Sequence, residues 1–394
     1  GGIGRVVRWV AGLVYLAAGL EVIIMITPFT VYFYSVYAPV LRRLESSPLT
    51  SWLTAFFLPH ISSTGDPLLV ALAYLAPILL GIGLAIFLVC AFQVYTAKLF
   101  RRGVVSGGLY RWARHPQYLG LAMAGVGLLL YWPRFIILLL YLAMLFIYYG
   151  LARHEESRMR RRFPDSYRTY QERTAMFLPG SPGGLVFAAL RRRVPGHGWA
   201  LVLLAFLVFA GGLATAAALR GYSRGRVALV ADGGISMVSL TAAPTAEIRA
   251  LLEMVRQDAR VGSRLADLNG DPTLIAYAFP QDYMMQHLIA DLGEHEAHHG
   301  KSDDSGFVTA LKHLSQMYLL GPFRQLQVGL DGPKRVIFTE AVTPRGRPVP
   351  ASRALDPGVL RFPLFFVDIE DRRVTMVMET RRRHSWGTIP VPAF

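Results

Sequence analysis

The sequence predicts a multi-pass α-helical membrane protein with about five transmembrane helices and a C-terminal α+β extracytoplasmic domain. Three observations carry this: long runs without charge, basic residues gathered in alternate loops, and a change of composition near residue 220. The chain has 394 residues, of which 53% are hydrophobic, and a mean hydropathy of +0.37. The apolar character is concentrated. Leu68–Ala97, Pro116–Pro133, Phe135–Ala152 and Gly198–Leu219 contain no Asp, Glu, Lys or Arg, and Trp9–Thr27 contains only Glu21. A bilayer core takes about 20 apolar residues per helix, so each run is a predicted span. The first run is too long for a cleavable signal peptide and lacks a small-residue cleavage site. With Gly1 in place of Met, N-terminal sequence is expected to be missing or processed.

Charge orients the spans. The net charge is +15, yet residues 1–220 hold 21 Lys and Arg against 7 Asp and Glu, whereas residues 221–394 hold 20 against 19. The basic clusters lie at 98–114 and 153–197, flanking apolar runs. That pattern places both segments and the N-terminus in the cytoplasm, with the loop Ala38–Asp66 and the Trp132-Pro133-Arg134 turn outside. The last span then leads out, and the expected location is the inner (cytoplasmic) membrane. A basic balance of this kind belongs to membrane topology; no nucleic-acid recognition module is present. The lone cysteine, Cys90, excludes an intrachain disulfide and a CxxC zinc site.

The predicted domains are 1–66 (first span and outer loop), 67–179 (membrane core), 180–220 (basic linker and fifth span) and 221–394 (exported domain). Gly180–Gly198 is rich in Gly, Pro and Arg and reads as a connector lying on acidic headgroups. In the exported part, Val227–Val230, Ile235–Leu240, Arg335–Thr339, Leu360–Val367 and Val374–Met378 read as strands. Thr245–Arg260 reads as a helix capped by Thr245, with Ile248, Leu251, Leu252 and Val255 on one face.

The chemistry gathers at the entry to the Pro116 span, where Gly107 and Gly108 precede Tyr110, Arg114, His115, Pro116, Tyr118 and Gly120. Glycines permit close backbone approach, and Pro116 suits the first turn of a helix. A guanidinium, an imidazole and two phenols at a membrane boundary suit a polar ligand whose reaction partner comes from lipid; Arg, Tyr and Trp are also common interfacial anchors. Beyond the next span come adjacent carboxylates, Glu155 and Glu156, then Met159, Phe163, Tyr167, Tyr170 and Phe177-Leu178-Pro179. Two acids directly after an apolar span suit an ammonium, a ribose or a cationic cofactor, while Glu156 is also placed to pair with Arg160 one turn on.

The pattern G-x-Y-x-x-x-R-H-P-x-Y-x-G, a tight helical hairpin, then E-E-x-x-M-x-x-x-F-x-x-x-Y-x-x-Y and a closing L-P, resembles the isoprenylcysteine carboxyl methyltransferase and phospholipid methyltransferase superfamily over about residues 103–179. The resemblance implies an integral-membrane methyltransferase that binds S-adenosylmethionine from the cytoplasm and takes a lipid, prenylated or other hydrophobic acceptor from the bilayer. It makes His115, Arg114 and Glu156 the catalytic candidates. It makes Tyr110, His115, Tyr118, Gly120, Glu155 and Glu156 the cofactor contacts, with Gly107 allowing close packing. Two positions depart from the family pattern: Pro164 follows the Phe where Gly is usual, and Met176 stands where a basic residue is common.

Two other function classes remain open at this level. The long exported tail fits a non-catalytic subunit of a membrane complex that docks protein partners through residues 221–394. His295-Glu296-Ala297-His298-His299 is a literal H-E-x-x-H, which on a helix would place His295 and His299 on one face for zinc, as in a membrane-anchored metalloprotease. Glycines bracket it closely and its flanks are polar, so no resident metal is assigned. Glu21, a carboxylate inside the first span, is either functional or tied to a neighbouring helix.

Overall fold

The computed structural model describes residues 43–60, 64–100, 104–178, 182–194, 196–268, 272–281, 330, 332–350 and 353–379. The expected first span, Glu21 and the His295–His299 motif lie outside these residues.

Four apolar helices form the membrane unit: α1 (Pro67–Leu99), α2 (Pro116–Tyr131), α3 (Phe135–Arg162) and, after two short helices, α6 (His197–Arg224). Segments Pro67–Ala97, Phe135–Arg162 and Gly198–Arg224 are each long and apolar enough to cross a membrane. The 16-residue α2 is shorter, reaching about 24 Å at 1.5 Å per residue. It pairs closely with α1 because both helices present glycine at the crossing. A Cβ on Gly83 would lie 2.4 Å from the Ala124 nitrogen, and one on Gly127 would lie 2.6 Å from the Ala76 oxygen. Such backbone-to-backbone approach is how membrane helices pack where lipid removes the hydrophobic drive between them. Gly120 belongs to this seam, where a Cβ would fall 2.8 Å from the Gly83 oxygen.

Helices α1 and α3 end, and α2 and α6 begin, at one end of the bundle, here the motif end. The opposite, far end is closed by the 43–60 segment. Its Phe57 amide donates to the Pro133 oxygen at 2.7 Å, and the Ala55 oxygen accepts from the Phe135 amide. Phe56 stacks on His60 at 4.3 Å and Trp132 lies 4.4 Å from the same imidazole. Burial, reinforced by the Arg134 guanidinium, pushes the His60 pKa down to about 3, so this ring packs as a neutral aromatic.

At the motif end α4 (Pro164–Arg173) and α5 (Pro182–Arg193) connect α3 to α6. Pro164 sits in the first turn of α4 after Phe163, which is non-helical (φ −137°, ψ 66°), and this explains why proline is accommodated where the resemblance leads one to expect glycine.

The C-terminal unit is one six-stranded sheet in sequence order: β1 (Leu229–Asp232), β2 (Ile235–Ser239), β3 (Leu274–Pro280), β4 (Lys334–Val342), β5 (Leu360–Glu370) and β6 (Arg373–Glu379). Only β2 and β3 are parallel; their crossover carries α7 (Thr245–Gln257) and α8 (Ala259–Ala266). The central strands β2–β5 are buried on both faces, while the edge strands β1 and β6 are largely exposed. Met237, Ala276, Phe338 and Val367 meet Ile248, Leu252, Val255 and Val261 of the helices. Val238, Tyr277, Ile337 and Phe366 face the opposite way, under Val349, Leu355 and Val359. The β5–β6 turn holds Asp371 and Arg372 at φ +46° and +58°, as a two-residue hairpin loop of the primed type requires.

The single helix expected over Thr245–Arg260 is two. Asp258 is extended (ψ 126°), and its carboxylate accepts from the amides of Arg260 and Val261, starting α8 afresh. Nor does Thr245 cap α7. Pro244, held at φ −62° by its ring, is the last extended residue, and Thr245 is already helical.

Candidate active site at the motif end

The site begins with chain pairing that no helix pattern announces. Residues 113–115 run beside 174–176 in a short parallel bridge: the Arg114 amide donates to the Ala175 oxygen at 2.9 Å and the His115 amide to the Met176 oxygen at 3.1 Å. Met176 thus contributes through its main chain. Tyr170 of α4 donates from its hydroxyl to the Tyr110 oxygen at 2.6 Å, tying the 3-10 turn Gly108–Arg111 to the same helix. Gly108 requires its glycine: φ is +60°, and a Cβ there would fall 2.3 Å from the Gln93 amide nitrogen on α1.

On this frame the two acids of α3 take different jobs. Glu156 is 2% exposed and surrounded by donors. Its Oε1 accepts from Arg114 Nε at 2.6 Å, and its Oε2 accepts from Gln171 Nε2 at 3.2 Å. The rest of the Arg114 guanidinium donates to the carbonyls of Gln171 and Thr174. Arg114, Glu156 and Gln171 therefore form a clamp joining the entry of α2, the end of α3 and the end of α4. The pairing of Glu156 runs across the fold to Arg114 and Gln171. Glu155 instead is 46% exposed, with its Oε1 accepting from the Tyr118 hydroxyl at 2.8 Å. Tyr118 stacks on Tyr148 at 5.2 Å, which fixes the plane of the phenol.

His115 lies between the acids, with Nδ1 3.4 Å from Glu155 Oε2 and Nε2 3.7 Å from Glu156 Oε1. Both nitrogens are buried, and at these separations neither has a hydrogen bond of ordinary length within the chain. Burial by itself lowers the imidazole pKa, but the two carboxylates outweigh it and raise it above the ordinary value of 6.5. Phe177 closes the ring's other side at 6.0 Å.

The structure thus brings Tyr110, Arg114, His115, Tyr118, Glu155 and Glu156 to one end of the bundle. Gly120 sits in the α1–α2 seam, and Gly107 precedes the 3-10 turn in open space. Sequence reading missed Gln171, Gln93 and Tyr148. Gln93 was the one discoverable signal, as an amide in an otherwise apolar span.

A half-exposed carboxylate that accepts from a phenol, beside a buried imidazole, is the accessible acceptor at this end of the bundle and suits a ligand that brings N–H or O–H donors. Among the described residues no group of three His, Cys, Asp or Glu is placed to hold a metal ion. No curated protein and no solved structure matches the chain. Residues 70–166, which carry all but the first turn of α1, the whole of α2 and α3, and every one of these site residues except the α4 and 174–177 partners, match the family model described as phospholipid methyltransferase.

Proposed function

We propose that the protein is an integral-membrane, S-adenosylmethionine-dependent methyltransferase whose acceptor is a lipid, a prenylated group or another hydrophobic molecule. The observation that carries this reading is the separation of Glu155 from Glu156. The family-matched segment keeps one carboxylate locked in the scaffold and leaves its neighbour accessible beside Tyr118 and His115. The concentration of arginines at the motif end supports a cytoplasmic orientation for the site, in the inner membrane, with residues 221–394 outside.

S-adenosylmethionine supplies a methyl group on a positively charged sulfonium. In this reading Glu155 and the Tyr118 hydroxyl orient the cofactor's polar part, and the Arg114–Glu156–Gln171 clamp fixes the backbone of residues 113–115 beneath it. His115, held toward the imidazolium by its two carboxylates, balances their charge. It can take a proton from an amine or hydroxyl acceptor only above its raised pKa; a carboxylate acceptor needs no base. Positioning and exclusion of water by the surrounding bilayer then supply most of the rate.

Calorimetry of detergent-purified full chain with S-adenosylmethionine and S-adenosylhomocysteine tests this. Binding that is lost in Glu155→Ala supports it; absence of binding to the wild-type chain sinks it. One observation favours a second reading, a methyltransferase-like subunit of a membrane complex. The C-terminal domain is fixed to the far end of the bundle by ion pairs, Arg224–Asp356 at 2.9 Å and Arg226–Asp66 at 3.4 Å, on the side away from the site. Co-purification of a stable protein partner that is lost on deleting 227–394, with no cofactor affinity, would favour that reading.

A further inference from the structure

The motif end is strongly basic. Between positions 153 and 193, ten arginines are exposed, distributed over the last turns of α3, over α4 and at the end of α5. Two exposed carboxylates, Asp165 and Glu172, and the half-exposed Glu155 accompany them; Glu155 is engaged by Tyr118 and His115, and Glu172 is taken up by Arg168 at 3.4 Å in a solvent-exposed pair. Like charges at this density repel one another unless an anionic surface lies opposite.

Helix α5 adds a second, independent feature. Its N-terminal half presents Leu185 and Val186, 69% and 52% exposed, and its last turn presents Arg191, Arg192 and Arg193. Its neighbour places it at headgroup height. Trp199, 69% exposed in the first turn of α6, against which α5 packs, lies where interfacial tryptophans mark the boundary of a bilayer. The aliphatic residues and the arginine run are separated along the helix axis, so α5 is suited to sit obliquely, its first half toward the acyl chains and its last turn among the headgroups. An acidic protein partner would neutralise the arginines but would give Leu185 and Val186 no reason to be bare beside four apolar helices.

We propose that α5, together with the arginine-rich ends of α3 and α4, is a docking surface for anionic lipid headgroups of the leaflet it faces. Leu185 and Val186 enter the acyl boundary, and the guanidiniums engage headgroup phosphates. Each arginine close to such a leaflet contributes about fivefold in affinity, so the 191–193 run contributes roughly a hundredfold. The proposal does not depend on the chemistry of the site or on which side of the membrane the motif end lies.

The test is hydrogen exchange on the full chain in nanodiscs of pure phosphatidylcholine and of an equimolar mixture with phosphatidylglycerol. Residues 182–193 should exchange at least about tenfold more slowly in the mixture, and this protection should fade in 1 M salt, where screening acts within about 3 Å. The R191Q/R192Q/R193Q variant should lose it at low salt, while unchanged exchange in β3–β5 reports an intact fold. Equal rates in the two bilayers, or a slowing that survives high salt, would overturn the proposal. If the variant misfolds, the salt dependence of the wild-type chain still decides.

Discussion

Adjacent residues of like chemistry at the motif end have unlike environments, and the difference fixes what substitution should do. Glu156 is buried with both oxygens engaged, so Glu156→Ala leaves the Arg114 guanidinium without its carboxylate. Breaking a buried pair of this kind costs about 3 kcal/mol, which should appear as a lower Tm in detergent. Gln171→Leu removes one donor from the same carboxylate and should cost about 1–2 kcal/mol. Glu155→Gln removes a half-exposed carboxylate shared by Tyr118 and His115, so it should cost about 1 kcal/mol, clearly less than Glu156→Ala. It should weaken S-adenosylmethionine binding at least about tenfold, as expected when a charge-assisted contact is lost. Equal thermal losses in the two glutamate variants would contradict the division of labour. His115 adds a pH dependence. Its folded-state pKa is raised, so its stabilisation is complete below the ordinary value of 6.5 and is lost as pH rises through the raised value. Thermal stability should therefore fall as pH is taken upward from 6.5, and His115→Gln should flatten that part of the profile.

The elements divide into those whose faces are set by side-chain pattern and those set by backbone approach. The α1–α2 pair is the second kind. With 2.4 Å between a Gly83 Cβ and the Ala124 nitrogen, Gly83→Ala must push the helices apart, at about 1–3 kcal/mol for overpacking. Thermal unfolding in detergent should show the loss, and an unchanged Tm would mean the seam yields freely. Strand β3 and helix α2 explain why element reading from sequence was incomplete. The residues of β3, Leu274-Ile-Ala-Tyr-Ala-Phe-Pro280, are buried on both faces, so no polar alternation marked them, whereas β4 and β5 were found within a few residues of their ends. Helix α2 was legible as an apolar run, but its glycines looked like neutral filler until the partner helix placed them.

At the scale of the molecule, the C-terminal sheet is joined to the far end of the bundle. Arg220, nearly buried at the foot of α6, donates to the Phe56 oxygen of the closing segment and to the Leu355 oxygen of the sheet domain at 3.1 Å. Tyr222 donates to Asp66 at 2.7 Å, and Gly358, at φ +78°, seats against Ser51. The last span, the closing segment and the sheet domain thus share one junction. Asp66→Asn with Asp356→Asn removes the acids of the two peripheral ion pairs. It should speed hydrogen exchange in residues 353–361 and 43–60 while β3–β5 exchange as before. Unchanged exchange at the junction would show that Arg220 and the packing suffice.

What the sequence determined by itself was set by solvent preference and local stereochemistry. Uncharged runs of membrane length, the basic loops beside them and the strand-forming tail are properties of the chain that hold whatever it packs against. The two halves of the methyltransferase-like motif were legible for the same reason, because each is a local string. The tertiary structure alone decided which glutamate is scaffold and which is accessible, since residues adjacent in sequence project about 100° apart on a helix and meet different neighbours. It alone revealed Gln171 as the partner of Glu156, and the docking of the sheet domain at the end opposite the site. Those contacts join residues from 15 to 164 positions apart, where the chain carries no periodicity to announce them.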